Sequence, residues 1–195
     1  MSKEFTGILG IVVIPDSETQ KILVELSKKH SQEGDPLPSP HHLSLYHGHF
    51  KNVPEDVARQ LLQQISAFLG TNYSLNQIEP YGGKFLFWNV EKPYPQLQHA
   101  HEVAVESLSL FVDREKVGLA LKEGLKMTQQ ETENLKKYSY PLVKELFMPH
   151  YALLYRESGI DSKGSKLHQA RITEIQFVEI AGFSKINRVL LSAQS

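Results

Sequence analysis

Two histidines far apart in the chain each follow a proline and open an apolar run. They are His42 in Pro40-His41-His42-Leu43-Ser44-Leu45-Tyr46-His47-Gly48 and His150 in Met148-Pro149-His150-Tyr151-Ala152-Leu153-Leu154-Tyr155. Imidazole titrates near neutral pH, so a pair of imidazoles can divide the work of general base and general acid. A hydroxyl two residues on, as at Ser44, can donate to an oxygen on which negative charge builds. Side chains alternate across a strand, which puts His42, Ser44 and Tyr46 on one face of the first segment and His150, Ala152 and Leu154 on one face of the second. Ser44 is thereby within reach of whatever His42 addresses. Tyr155, five residues past His150, points away from it on the same count.

A single His-x-Ser triplet carries little information, because nine histidines in a chain of this composition produce about one by chance. The context carries more: both histidines open apolar strands, and the stretch between them is long enough to place them in facing halves. The rival reading is a metal site built from His41, His42, His47 and His49. Alternation sets His47 and His49 on the face opposite His42, leaving only His41 beside them, and no acidic residue nearby completes a ligand set. No metal and no cofactor is therefore expected.

These positions need elements to hold them. Phe5–Ile14 reads as a strand that stops at Pro15, with Asp16 or Ser17 capping a helix over Glu18–Lys29 whose Ile22, Leu23 and Leu26 recur at helical spacing. A proline-bearing loop over Ser31–Pro40 leads into a strand at His41–Phe50. A second helix carries Val57, Leu61, Leu62, Ile65 and Leu69. Tyr73–Ile78 and Lys84–Val90 form a hairpin around Gly82-Gly83, and Pro95–Val112 returns to helical spacing. His150–Tyr155, Glu174–Ile180 and Asn187–Ser192 supply the last strands, after a surface loop at Gly159–Gly164. Phe85, Phe87 and Trp88 on the hairpin could stack on a nucleobase, but packing is the favoured reading; Lys84 and Arg156 could neutralise a phosphate, against the commoner reading of solvated cations. The mixed-charge stretch Lys122–Lys144, with a polar helix from about Thr128 to Lys137, reads as a solvent-facing excursion whose place before His150 also suits a lid.

The order of elements is that of an α+β protein with largely antiparallel sheets. At 195 residues, 41% hydrophobic and 22% charged, the chain fits one folding unit, residues 1–195, with a real core. Twenty-one basic and twenty-two acidic residues give a net charge of -1, which excludes a field able to hold a long nucleic-acid duplex but not a small phosphate or an RNA end. The absence of cysteine excludes thiol nucleophiles, thiolate metal sites and disulfides. The apolar run Ile8–Ile14 is too short to span a membrane, and no signal sequence is evident, so a cytoplasmic monomer is expected.

The two histidine strands resemble those of the two-histidine phosphoesterase superfamily, which includes bacterial 2′-5′ RNA ligase and cyclic nucleotide phosphodiesterases and whose signature is a pair of His-x-Ser/Thr strands flanked by hydrophobic residues. The resemblance covers nearly the whole chain in element order. It implies a bilobal fold, with two antiparallel-rich sheets around a central cleft and helices outside. It also implies His42 and His150 as the catalytic pair and Ser44 as a phosphate donor. The activity implied is hydrolysis or reversible ligation of a 2′,3′-cyclic or 2′-5′ phosphodiester of a nucleotide or RNA end. Ala152 departs from the signature, since it stands where the second hydroxyl belongs. Tyr46 is the substitute donor that alternation favours, and a cleft that binds nucleotide without turning it over is the alternative that Ala152 keeps open.

Overall fold

The computed structural model describes residues 3–116, 126–182 and 185–194. Strand β1 (Glu4–Pro15) is apolar and β-branched through its middle and stops at Pro15. Asp16 then caps helix α1 (Ser17–His30), its carboxylate accepting from the Thr19 amide, with Lys28, Lys29 and His30 in the last turn, where cations suit the helix dipole. Strand β2 (Leu43–Pro54) runs straight into α2 (Glu55–Ile65). The hairpin of β3 (Asn72–Tyr81) and β4 (Phe85–Val90) turns through Gly82 and Gly83, whose φ angles of 59° and 78° are open to glycine without strain. Helix α3 (Pro95–Leu108), α4 (Gln129–Tyr138), β5 (His150–Tyr155), β6 (Gly164–Ala181) and β7 (Lys185–Gln194) complete the chain. No helix among the described residues is long and apolar enough to cross a membrane.

The fold is α+β, and its seven strands form one antiparallel sheet in the order β1-β2-β5-β4-β3-β6-β7, with a further pairing of β1 to β6. The two expected sheets are thus one continuous sheet. The reason is the length of β6: its first half pairs with β3 and its second half with β1 and β7, so one strand belongs to both halves. The halves meet a second time where Leu43 of β2 pairs with Tyr151 of β5. The first half of β6 is missing from the sequence-based reading because Gly164–Arg171 is polar and mostly exposed, with no apolar alternation to betray a strand.

One large core cluster runs from Phe5 to Phe177 and takes in residues of all of β1–β6 and of α1–α4. A smaller cluster of Val12, Val178 and Ile180, with Ile8, Ile14 and Ile186 against it, lies apart from the first.

The stretch before His150 is more than an excursion. Residues 122–125 lie outside the described residues, but Thr128 and Glu131 form a capping box for α4, and Leu135, Tyr138 and Tyr140 are buried. Ser139, in the left-handed region at φ 61°, closes the helix onto the edge of β2 that β5 leaves open. Its hydroxyl accepts from the His49 amide at 2.8 Å. The approach is close enough that a Cβ at Gly48 would meet Ser139 Cβ at 2.7 Å.

Candidate functional site

Strand register builds the site. Leu43 and Tyr151 are paired and turn to the core, so the residues on either side of them turn to the opposite face. His42 and Ser44 therefore share a face with His150 and Ala152. Continuing the antiparallel register sets Ser44 across from His150, and His42 across from Ala152. The hydroxyl that the second strand lacks is the one that would stand across from His42.

Each histidine strand then carries a bulge at its third residue beyond the histidine. On β2, Ile11 pairs with Tyr46 and Val12 with Ser44, so Leu45 is the extra residue; on β5, Leu86 pairs with Leu154 and Phe87 with Ala152, so Leu153 is extra. A bulge shifts the alternation by one position, and every side chain beyond it changes face. Tyr46 is consequently turned to the core, where its ring meets Phe50 edge-on and its hydroxyl donates to the Tyr138 carbonyl at 2.6 Å. The expectation that Tyr46 shares the His42 face is corrected by this shift, and with it the expectation that His47 and His49 point away. His47 pairs with Gly10 and His49 with Ile8, on the face that Val12 shares with Ser44. On β5 the same shift brings Tyr155 opposite Phe85, onto the His150 face.

Two further histidines hold these bulges. His101, fully buried on α3, donates from Nδ1 to the carbonyl of the bulged Leu45 at 2.6 Å and accepts the Lys144 amide on Nε2 at 2.8 Å. His41 donates from Nδ1 to the Ala152 carbonyl, beside the second bulge, at 3.2 Å, and its Nε2 meets the Ser27 hydroxyl at 3.2 Å. Carbonyls displaced from the ladder are thus paired rather than orphaned. Both imidazoles are structural, and burial holds both below the usual histidine range, His101 at about 4.

His42 and His150 are pinned in the same way as each other. His42 Nδ1–H donates to the carbonyl of Pro40 at 3.0 Å, and His150 Nδ1–H to that of Met148 at 2.6 Å, in each case two residues back. A carbonyl only accepts, so the neutral ring carries its proton on Nδ1 and its lone pair on Nε2. The His150 ring is further fixed by Phe87, stacked at 3.6 Å between centroids, and Tyr81 stacks on Phe87 at 5.1 Å. Both histidines are largely closed to solvent, at 5% and 9% exposure. Burial is the main cause that takes each to about 4, against the pull of its carbonyl; His41 lowers His42 further, and His42 lowers His150 further.

The expected cations are engaged elsewhere: Lys84 pairs with Glu157, and Arg156 with Asp35, each at 2.5 Å. Three buried side-chain polar atoms among the described residues have no hydrogen-bond partner, namely His47 Nδ1, Asn89 Oδ1 and Gln176 Oε1. Asn89 pairs with His150, Gln176 pairs with Val12 across from Ser44, and His47 follows the bulge, so all three lie on the site face. Leaving such an atom unpaired costs about 1–3 kcal/mol, and all three lie on the face that carries the histidine pair. The sequence marks neither Asn89 nor Gln176 as a site residue, and His47 only as a candidate ligand in the rival metal reading. A signal for His47 does exist: the apolar alternation Leu43, Leu45 slips to Tyr46 and then Phe50, which is the trace of a bulge.

No family model and no curated protein matches the chain. Among solved structures, several share this fold over nearly the whole chain. A Thermus thermophilus protein, TT0787, superposes with a TM-score of 0.61 at 17% identity, covering 96% of this chain and 97% of the other. Escherichia coli LigT complexed with NADP+ superposes with a TM-score of 0.57 at 12% identity, covering 97% of each chain. A structure described as a phosphoesterase gives 0.52 at 11%, covering 97% of this chain and 98% of the other. LigT has also been crystallised with 3′-AMP, ATP and phosphate.

Proposed function

We propose that this chain is a metal-independent phosphoesterase that hydrolyses, or reversibly ligates, a 2′,3′-cyclic or 2′-5′ phosphodiester of a nucleotide or RNA end between His42 and His150. The observation that supports this most is the matched pinning of the two rings. Each Nδ1–H is held by a carbonyl two residues back, which leaves two Nε2 atoms on one face of the sheet. In hydrolysis of a cyclic phosphate, one Nε2 takes a proton from water as its oxygen bonds to phosphorus. The other, as imidazolium, gives a proton to the ribose oxygen as that oxygen leaves. Ser44 donates its hydroxyl to a non-bridging oxygen, where charge builds.

With both rings held near 4 by burial, neither is charged at neutral pH. The acid must therefore gain its proton when an anion enters, since a neighbouring negative charge favours imidazolium. Binding of inorganic phosphate or a 3′-nucleotide near pH 7 is expected to take up close to one proton, and affinity is expected to rise as pH falls toward 6. Calorimetry in buffers of different ionisation enthalpy measures the uptake; binding with none would remove the imidazolium from the scheme.

A second reading, a nucleotide or RNA-end binding module without turnover, is favoured by Ala152, which leaves the side across from His42 without a hydroxyl. Assay of 2′,3′-cyclic mononucleotides and 2′-5′-linked dinucleotides, with chelator present, separates the two. Turnover with a bell-shaped pH dependence is expected. Binding of 3′-nucleotides without turnover would leave the second reading, and neither binding nor turnover would remove both.

A further inference from the structure

We propose that His47 is a third imidazole of the site, a binding residue whose Nε2–H donates to an oxygen of the bound phosphate from the wall formed by β2. This rests on the phosphate-site reading above and adds to it a residue outside the His-x-Ser pattern.

The position is built to hold this ring. The bulge at Leu45 turns His47 onto the face that carries Ser44 and, beyond the Leu43–Tyr151 pair, His150. Opposite His47 on β1 stands Gly10, where a Cβ would come within 3.0 Å of His47 Cβ and 2.8 Å of Ile180 Cδ1. The glycine makes the room. On its other side the ring meets Tyr140, 4.1 Å between centroids, from the segment that α4 delivers to the edge of β2. The titratable neighbours that bear on the ring are His42, His150 and His49, which places it within the electrostatic reach of both members of the pair.

The chemistry of the nitrogens sets the role. His47 Nδ1 is sealed from solvent and has no hydrogen-bond partner among the described residues. A buried N–H without an acceptor is costlier than a bare lone pair, so the neutral ring carries its proton on Nε2. His42 and His150 have the opposite arrangement, with Nδ1–H satisfied and Nε2 a lone pair. The two pinned rings thus offer acceptors that can exchange protons, while His47 offers a fixed donor. Burial, with the other imidazoles adding to it, takes His47 down to about 3, so it stays a neutral donor rather than a third acid. As a packing residue the nitrogen makes no sense, because a phenyl ring would fill the same space between Gly10 and Tyr140 without an unpaired polar atom.

The test measures binding of inorganic phosphate and of adenosine 3′-monophosphate, together with thermal unfolding, for the wild-type chain, His47→Phe and His47→Gln. His47→Phe keeps an apolar ring against Tyr140, and the expected result is a melting temperature equal to or above wild type with phosphate binding about tenfold weaker, the loss of one neutral donor. His47→Gln restores an N–H and is expected to bind within about threefold of wild type. The two probes are expected to weaken alike. Phosphate binding by His47→Phe equal to wild type would overturn the inference, as would a loss confined to the nucleoside-bearing probe. Failure of the hydrolytic reading looks different: a wild-type chain that turns over no phosphodiester but binds phosphate in a His47-dependent way leaves this inference standing. A wild-type chain that binds no phosphate removes both.

Discussion

Replacing either His42 or His150 by alanine is expected to lower turnover of a 2′,3′-cyclic mononucleotide by about 10²- to 10⁴-fold, the range that a positioned acid or base contributes. The double replacement is expected to cost little more than the worse single one, because an acid without its base does not complete the reaction. The fold should survive both changes. Each ring makes a single local hydrogen bond to a carbonyl two residues back, worth about 1 kcal/mol, and neither touches the ladder that joins the strands. Steady-state rates alongside circular dichroism of each variant check this. A variant that is folded and as fast as wild type would remove its histidine from the mechanism. His41 and His101 are the informative contrast: they hold the carbonyls at the two bulges, so alanine there should lower stability and activity together.

The second large effect is on stability in mild acid. His42, His101 and His150 are held at about 4 and His47 at about 3, chiefly by burial, against about 6.5 in the unfolded chain. Between those limits the unfolded chain binds protons that the folded one refuses, so stability is whole above pH 6.5 and falls as pH drops toward 4. Each group withdraws up to about 1.4 kcal/mol per pH unit within its window. Several acting together are comparable, over about two units, to the 5–15 kcal/mol that holds a typical domain. Lowered carboxylates such as Asp16 and Asp35 act only at lower pH, since their ordinary values already lie near 3.8. Urea unfolding at intervals from pH 7.5 to 5 is expected to show a steep loss beginning near 6.5, shallower by about one proton in His47→Phe. A flat profile over that range would mean that the imidazoles are not kept neutral by the fold.

Much of the site was legible because it rests on local pattern. His42 and His150 stand out by opening apolar strands after prolines, Ser44 by lying two residues on, and Ala152 as the absent hydroxyl. The helices over Ser17–His30 and Glu55–Ile65 and the hairpin at Gly82-Gly83 follow from spacing and turn chemistry. What misled the reading was the assumption of unbroken alternation. It put Tyr46 in the site and His47, His49 and Tyr155 outside it, and one extra residue on each histidine strand reverses those assignments. Tyr140 was hidden for another reason, since only docking of α4 on β2 brings its ring to His47.

The amino-acid sequence by itself determined the element types, the apolar faces of the helices and the two strands that begin at or just after His42 and His150, because these depend on interactions between residues close in the chain. The tertiary structure alone decided the closure of the sheet through β6, the facing of His42 and Ser44 against Ala152 and His150, and the entry of His47. Those depend on register, and register is a property of two strands at once: a bulge exists only relative to the neighbour that lacks the extra residue.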